Sequence, residues 1–193
     1  MTTDVWDRLF SEFSRVYAAT PQLQDFCPFP TDIKPQNVVA HDIPARALLE
    51  SDRGLTTRDY TGLRDAFVAA ARRALWRETY KGTDIGQDFL DRFGCYCLIG
   101  SGGAFSSESL FAYVVYMPPG LHYPWHDHPA EEIYFVLAGE AEFHRQGHPS
   151  QVLRPGDASF HASSQSHAMT THDHPVMALV LWRDGFATRP KLT

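Results

Sequence analysis

The sequence predicts a mainly β protein with a helical N-terminal half, which places it in the α+β class. Two observations predict this class: apolar residues recur at helical spacing in the first half, and short β-branched and aromatic runs follow from Gly94 onward. We expect residues 1–93 to form a helical extension and residues 94–193 to form a barrel. At 193 residues the chain suits one domain, so both parts are expected to form one structural unit.

The first half is predicted to be helical with proline-rich joints, because two of its segments have the apolar face of an amphipathic helix. The first face consists of Trp6, Leu9, Phe10, Phe13 and Tyr17. The second face consists of Leu63, Phe67, Ala70, Ala71, Ala74 and Leu75. Five prolines in residues 21–46 exclude a continuous helix between these segments and indicate extended pieces that cross the surface.

The second half reads as a series of short strands separated by Gly, Pro, Asp and Ser. The strand candidates are CYCLIG, FAYVVYM, EIYFVLA, EAEFHRQ, ASFHAS, HAMTTH and VMALVLW. This rhythm is typical of an antiparallel sandwich or small barrel and not of strands that alternate with helices.

The composition is typical of a soluble globular protein and argues against several classes of partner. Hydrophobic residues make up 44% and charged residues 21% of the chain, which excludes a mostly disordered protein. The formal net charge of −6 disfavours nucleic acid or an anionic membrane as a partner. The apolar runs are shorter than the ~20 residues needed to cross a bilayer, and the first residues lack a secretory pattern, so we expect a cytoplasmic protein.

The segment HDHPAEEIY contains several polar groups that are costly to bury, and it lies between apolar strands. His126 and His128 are two residues apart, so on extended backbone both imidazoles face the same side. In a strand, Glu132 shares a face with Tyr134, while Glu131 takes the opposite face. Burying a glutamate beside histidines is costly unless the groups are paired or metallated. Two nitrogens and one carboxylate suit a divalent first-row metal, so the segment predicts a metal site.

A fourth ligand is expected from the histidines downstream. His167 is favoured, because a Pro-Gly-Asp turn at Asp157 starts one strand and His167 starts the next, which would return beside the first cluster. His161 is the alternative, since it can face the same lumen from the preceding strand. The remaining downstream histidines lie near turns and are expected to be solvated: His144, His148, His172 and His174.

The spacing of this region resembles the first motif of the cupin family, Gly120-x5-His126-x-His128-x3-Glu132-x6-Gly139. The second cupin motif is met in part, by Pro155-Gly156-Asp157 and His167, while Thr171 stands where that motif ends in asparagine. The resemblance implies a cupin double-stranded β-helix, or jelly-roll, barrel.

The surrounding pattern resembles a narrower family. YPWHDHPAEEIYFVLAGEAEF, RPGD and SQSHAM, behind a helical half, are similar to the cupin-type dimethylsulfoniopropionate lyases of the DddQ kind, over most of residues 90–185. This implies a carbon–sulfur lyase that cleaves a small zwitterion, dimethylsulfoniopropionate, into dimethyl sulfide and acrylate. The metal ligands it implies are His126, His128, Glu132 and His167. The catalytic tyrosines it implies are Tyr134 and Tyr123.

The implied chemistry fits these residue types. One divalent transition metal, Fe, Zn or Mn, can stabilise the negative charge that develops on the substrate carboxylate as its α-proton is removed, and Tyr134 is the candidate base. The sulfonium end needs apolar walls that tolerate a cation, and each aromatic face contributes ~0.5–2 kcal/mol. The candidates for substrate binding are Tyr123, Trp125, Phe143, Phe160 and Trp182.

Two other functions remain open at this stage, because cupin metal sites support several chemistries. An iron-dependent cupin dioxygenase would consume oxygen, whereas the lyase should work without it. A non-catalytic, small-molecule-sensing cupin would bind a ligand without turnover.

Overall fold

The structure is a computed structural model that describes residues 4–193. Its helices are α1 (Val5–Ala19), α2 (Pro21–Phe26), α3 (Pro44–Ser51), α4 (Thr61–Ala70) and α5 (Gln87–Arg92). A 3-10 turn, Ala71–Arg73, follows α4. Within the described residues, no helix is both long and apolar enough to cross a bilayer.

The strands follow mainly in the second half. They are β1 (Lys34–Pro35), β2 (Gly94–Ile99), β3 (Phe105–Ser106), β4 (Phe111–Met117), β5 (His122–Asp127), β6 (Glu131–Gly139), β7 (Ala141–Arg145), β8 (Gln151–Leu153), β9 (Ala158–His161), β10 (His167–Thr170), β11 (Val176–Arg183) and β12 (Lys191–Leu192). Each of the seven predicted runs overlaps one of these strands.

The strands form two facing sheets. The larger sheet has the order β1-β3-β2-β4-β11-β6-β9, and the smaller has the order β12-β5-β10-β7-β8. From β4 to β7 successive strands alternate between the sheets, and β9, β10 and β11 do so again. This is the double-stranded β-helix, or jelly roll, that the cupin resemblance implies, so the predicted fold class is confirmed.

The larger sheet is buried on both faces, which explains its long apolar runs. On β6, Ile133, Phe135 and Leu137 pack into a core that also holds side chains of α1 and α4. Tyr134 and Val136, on the opposite face of β6, belong to a second core in the lumen between the sheets. A strand that is covered on both sides shows little alternation of apolar and polar residues.

The second predicted helix is shorter than expected. It ends at Ala70, and after the 3-10 turn the chain is extended, so the expectation was wrong for Ala74 and Leu75. Trp76 explains the change: its side chain is buried, its indole N–H donates to the carbonyl of Ala71, and its backbone pairs with Tyr96 of β2. Tertiary packing here overrides the local helical pattern.

The proline-rich segment was only partly predicted. The prolines do interrupt the helical half, and β1 is extended. However, α2 begins at Pro21 and α3 begins at Pro44, where extended pieces were expected. Proline suits the first position of a helix, because its fixed φ is helical and because an N–H at that position would have no acceptor within the helix.

Gly139, the last residue of β6, is constrained both by its backbone conformation and by a close backbone neighbour. Its φ is +71°, and a Cβ atom at this position would lie 1.8 Å from the carbonyl oxygen of Pro175. Gly139→Ala should therefore lower the free energy of unfolding by at least ~3 kcal/mol, through strain and a backbone clash together. Urea denaturation measures this loss.

Gly147→Ala is the matched control, because Gly147 also has a positive φ of +82° but a Cβ atom added there would have no neighbour within 4 Å. It should cost only the ~1–2 kcal/mol of the left-handed conformation. Equal losses in the two variants would show that the backbone contact at Gly139 is unimportant.

Candidate metal centre and active-site cavity

Three buried side chains converge in the lumen with atoms that can bind a metal. They are His128, Glu132 and His167, whose ligand atoms all lie within 4.8 Å of one another. The Nε2 atom of His167 lies 3.0 Å and that of His128 lies 3.5 Å from Glu132 Oε2. Each residue is at most 3% exposed, so these are polar groups removed from water.

Strand register brings these residues together from distant parts of the sequence. His167, at the start of β10, pairs with His126 of β5, as the sequence analysis expected of a returning strand. Glu132 lies on β6 of the facing sheet, next to Trp182 of β11. The candidate metal-binding group, His128, Glu132 and His167, therefore spans both sheets and depends on their correct closure.

An irregularity in β5 places Tyr123 and His126 in the same lumen. Three residues of β10, from His167 to Met169, lie opposite four residues of β5, from His126 to Tyr123. An extra residue of this kind is a β-bulge, which shifts the alternation of side chains. Tyr123 and His126 are three positions apart, which would put them on opposite faces of a regular strand. Their rings nevertheless stack on each other, with 4.0 Å between the centroids.

Backbone carbonyls fix the orientation of three lumen histidines. The Nδ1 atoms lie 2.8 Å from Pro124 O for His126, 3.0 Å from Ala130 O for His128 and 2.8 Å from Gln165 O for His167. A carbonyl oxygen only accepts, so each Nδ1 carries a proton and donates it. In the neutral ring, Nε2 then keeps a lone pair, as a metal ligand requires.

The buried Nε2 atoms of His128 and His167 make no hydrogen bond to any described residue. In the neutral rings, each lone pair faces the Glu132 carboxylate, so this arrangement calls for a cation between them. A proton can serve, and although burial opposes it, Glu132 raises the pKa of His128 above its usual value. A metal ion would compete with that proton for the same lone pair.

Glu132 is held by further partners. The indole N–H of Trp182 donates to Oε1 at 2.6 Å, and the Nδ1–H of His161 donates to Oε2 at 3.0 Å. The other ring nitrogen of His161 accepts from the hydroxyl of Ser159 at 3.0 Å. His161, the alternative fourth ligand, thus lies beside the cluster as a hydrogen-bond partner of Glu132.

The protonation states follow from burial and from these contacts. Burial disfavours the Glu132 carboxylate, but His128 and His167 outweigh it and hold the pKa of Glu132 well below its usual range. Burial lowers the pKa of His161 to about 4. Burial and the neighbouring His167 hold the pKa of His126 well below its usual value. The Glu132 carboxylate and the Nε2 lone pairs of His128 and His167 form a donor set that suits a divalent first-row metal.

His126 lies next to the three-residue group but outside it. Its ring centroid is 4.1 Å from that of His167 and 6.3 Å from that of His128. The ligand atom of His126 does not lie within 4.8 Å of all three others. Of the four residues implied as ligands, the structure therefore brings three into one tight group and places the fourth at its edge.

A cavity lies against this group, and some of the expected substrate contacts line it. Tyr123, Tyr134 and Trp182 contribute to its wall. Phe143 is buried behind Tyr134, with 5.6 Å between ring centroids, and does not line the cavity. Trp125 and Phe160 also lie outside it, which differs from the sequence analysis.

The placement of these two residues has a local cause. Trp125 lies in the bulged part of β5 and is 38% exposed. Phe160 precedes the buried His161 on β9, so it takes the opposite face, and it packs against Phe26 of α2. Counting strand positions from His161 could have excluded Phe160, and Pro124 within β5, which has no N–H to donate to a neighbouring strand, could have indicated the bulge.

Several residues of the cavity wall were missed by the sequence analysis. They are Arg77, Thr79, Phe93, Cys95, Tyr113, Val115, Val180 and Pro190. Tyr80 of the helical half does not line the cavity itself but contacts the wall residue Tyr123, with 2.7 Å between the two hydroxyl oxygens. Burial and then Tyr80 raise the pKa of Tyr123 well above its usual value, so Tyr123 stays protonated in this environment.

Comparison with known proteins identifies close relatives. The sequence pattern of the dimethylsulfoniopropionate lyase family matches residues 29–178. The chain is 55% identical over 192 residues to dimethylsulfoniopropionate lyase DddQ of Ruegeria pomeroyi, which covers 100% of this chain and 96% of the relative.

Solved structures agree with this match. The crystal structure of the lyase DddQ from Ruegeria pomeroyi DSS-3 superposes with a TM-score of 0.97 at 56% identity, over 99% of this chain and 98% of the other. A chain from the crystal structures of the lyases RdDddP and RnDddQII has a TM-score of 0.93 at 38% identity, over 98% and 97% of the two chains.

The hydrogen bond from Trp182 to Glu132 should stabilise the metal-free protein. Trp182→Phe removes the donor and leaves a buried carboxylate oxygen without it, in addition to a loss of packing volume. We expect the free energy of unfolding to fall by about 2–4 kcal/mol in urea denaturation at pH 7.

Trp125→Phe is the matched control, since Trp125 is partly exposed and its indole makes no hydrogen bond to a described residue. It should cost less than about 1 kcal/mol. If both variants lose the same stability, the Glu132 contact is not what Trp182 contributes.

Proposed function

The chain belongs to the dimethylsulfoniopropionate lyase family and is a carbon–sulfur lyase, and we propose that it cleaves dimethylsulfoniopropionate to dimethyl sulfide and acrylate by metal-dependent β-elimination. The observation that carries the proposal is the buried group of His128, Glu132 and His167 beside a cavity, in a chain 55% identical over its whole length to a lyase of this activity. The substrate is small and zwitterionic, with a carboxylate and a sulfonium.

One divalent transition metal, Fe, Zn or Mn, fits the residues present. His128, Glu132 and His167 would hold it, and His126 is the fourth ligand that we propose. The two buried Nε2 atoms without hydrogen bonds, and the low pKa of Glu132, leave these groups ready to bind a cation. When bound, the ion supplies Lewis-acid stabilisation of the substrate carboxylate and favours the charged form of a nearby phenol.

Tyr134 is the base that we propose. It lies on the lumen face of β6, two residues after Glu132, and its ring centroid is 5.6 Å from that of His161 and 6.2 Å from that of His167. Its hydroxyl makes no hydrogen bond to a described residue. In the metal-free protein, burial and Glu132 raise its pKa well above the usual value, so the phenolate depends on the occupied site.

The reaction balances with Tyr134 in this role. The phenolate oxygen takes the proton from the carbon beside the carboxylate, and the electron pair of that C–H bond forms the double bond of acrylate. The C–S bond breaks, and its electrons leave with neutral dimethyl sulfide. The leaving group already carries a positive charge, so the step needs no general acid.

Aromatic side chains would receive the sulfonium. Tyr123 and Trp182, both predicted from the sequence, line the cavity together with Phe93. Ring faces attract a cation at ~0.5–2 kcal/mol each. Tyr123 stays protonated, and its hydroxyl forms a hydrogen bond with the hydroxyl of Tyr80. We therefore assign Tyr123 to the cavity wall and to hydrogen bonding of the substrate, and Tyr134 to the role of base.

The role of Tyr134 can be tested without oxygen. Tyr134→Phe removes only the phenolic oxygen, so metal content and thermal stability should remain, while turnover should fall by ~10²–10⁴-fold. Headspace detection of dimethyl sulfide and an assay of acrylate measure this under anaerobic conditions.

Tyr60→Phe is the control, because Tyr60 packs against Phe135 on the other face of the larger sheet. It should keep full activity. Full activity in Tyr134→Phe would eliminate this residue as the base. Activity that requires oxygen would favour the dioxygenase, and metal and substrate binding without any product would favour the sensor.

The ligand assignment predicts which variants lose metal. His128→Ala, Glu132→Ala and His167→Ala should each lower the bound metal, by ten- to a hundredfold in affinity or more, because each removes a ligand atom from a small set. Elemental analysis after dialysis against a fixed metal concentration measures occupancy, and His126→Ala tests the fourth ligand.

His144→Ala is the control, since His144 is bonded to Thr170 and Ser150, outside the metal group. The metal occupancy of His144→Ala should equal that of the unmodified protein. Unchanged metal content in Glu132→Ala would refute the assignment.

A further inference from the structure

We propose that Arg77 binds the substrate carboxylate and thereby sets the direction in which the zwitterion enters the cavity. The inference rests on the proposed function for the identity of the substrate. It adds a basic residue from the helical half to the site, and it assigns Arg77 to orientation and specificity.

The backbone holds Arg77 beside the barrel. Its N–H donates to the carbonyl of Cys95 at 2.8 Å, and the preceding residue, Trp76, bridges to Tyr96. The segment thus runs as a short additional strand along β2. The side chain of Trp76 enters the core beneath the helices, so the next side chain, Arg77, points the other way and lines the cavity.

The charge of Arg77 has no acidic partner. Among residues 4–193, no carboxylate oxygen lies within 4.0 Å of its guanidinium, and its side chain donates no hydrogen bond. The guanidinium carbon lies 5.2 Å from the ring centroid of Tyr113, also a wall residue. Arg77 is only partly exposed, so a half-buried cation faces the cavity with its donors free.

The chemistry of the guanidinium selects an anion of a particular shape. Its planar fork matches the two oxygens of a carboxylate, and such charge-assisted bonds are among the stronger ones in proteins. The same charge repels a sulfonium. A zwitterion would therefore place its carboxylate towards Arg77 and the metal-binding group, and its sulfonium towards the aromatic wall away from Arg77.

Binding measurements separate this role from packing on Tyr113. Acrylate, which carries the carboxylate but no leaving group, is titrated calorimetrically into zinc-loaded protein, with neutral acrylamide as the companion probe. Arg77→Gln should weaken acrylate binding at least about tenfold and leave acrylamide binding unchanged. Arg77→Lys should recover part of the affinity, because it restores the charge but not the fork.

Arg58→Gln is the matched control, since it removes the same charge from an exposed arginine outside this cavity. It should bind acrylate like the unmodified protein. In turnover, Arg77→Gln should raise KM for dimethylsulfoniopropionate more than it lowers kcat. Unchanged acrylate affinity in a folded Arg77→Gln, or an equal loss for acrylamide, would overturn the inference.

The outcomes also distinguish this inference from the proposed function. If the unmodified protein makes no dimethyl sulfide but its acrylate affinity depends on Arg77, the lyase reaction fails and the carboxylate site stands. If it makes dimethyl sulfide while Arg77→Gln retains both acrylate affinity and KM, only the role of Arg77 fails. Should Arg77→Gln not fold, Arg77→Lys decides through the acrylate and acrylamide affinities.

Discussion

The buried carboxylate of Glu132 is the constraint on which the lumen depends. An anion that is 2% exposed is costly unless every oxygen has partners. Those partners come from the start of β10, the end of β9, β11 and the turn after β5, so both sheets must close in register to provide them. The carbonyl contacts at Nδ1 of His128 and His167 orient these two rings so that their Nε2 atoms face the same carboxylate.

The larger sheet separates two apolar regions, the core beneath the helices and the lumen between the sheets, which have different functions. Its outer face, with residues such as Phe135, packs with side chains of α1 and α4 in the larger of the two buried apolar clusters. Its inner face carries Tyr134 and Trp182 towards the cavity. The helical half also crosses to the lumen side through Arg77, Tyr80 and Phe93, so it contributes to the site as well as to the core.

The sequence predicted those parts of the site that follow from local spacing. The face shared by Glu132 and Tyr134, and the return of His167 beside His126, needed only strand periodicity and a turn. Arg77 could not be found in this way, because it follows a segment whose helical pattern yields to the packing of Trp76. The exposure of Trp125 was missed for a different reason: the bulge in β5 coincides with Pro124, whose significance strand periodicity alone does not take into account.

The distribution of charge connects the wall to the proposed reaction. Once Tyr134 has taken the proton and is neutral, a bound divalent ion, the Glu132 carboxylate and Arg77 would give the cavity a net charge of about +2, from +2, −1 and +1. A zwitterion enters with no net charge, whereas elimination leaves an acrylate anion and neutral dimethyl sulfide. The positively charged cavity therefore attracts acrylate and exerts no net electrostatic attraction on neutral dimethyl sulfide. Dimethyl sulfide should leave first, and acrylate departs only as it exchanges its contacts with cations for water, a step that Arg77 and the metal-binding group would both slow.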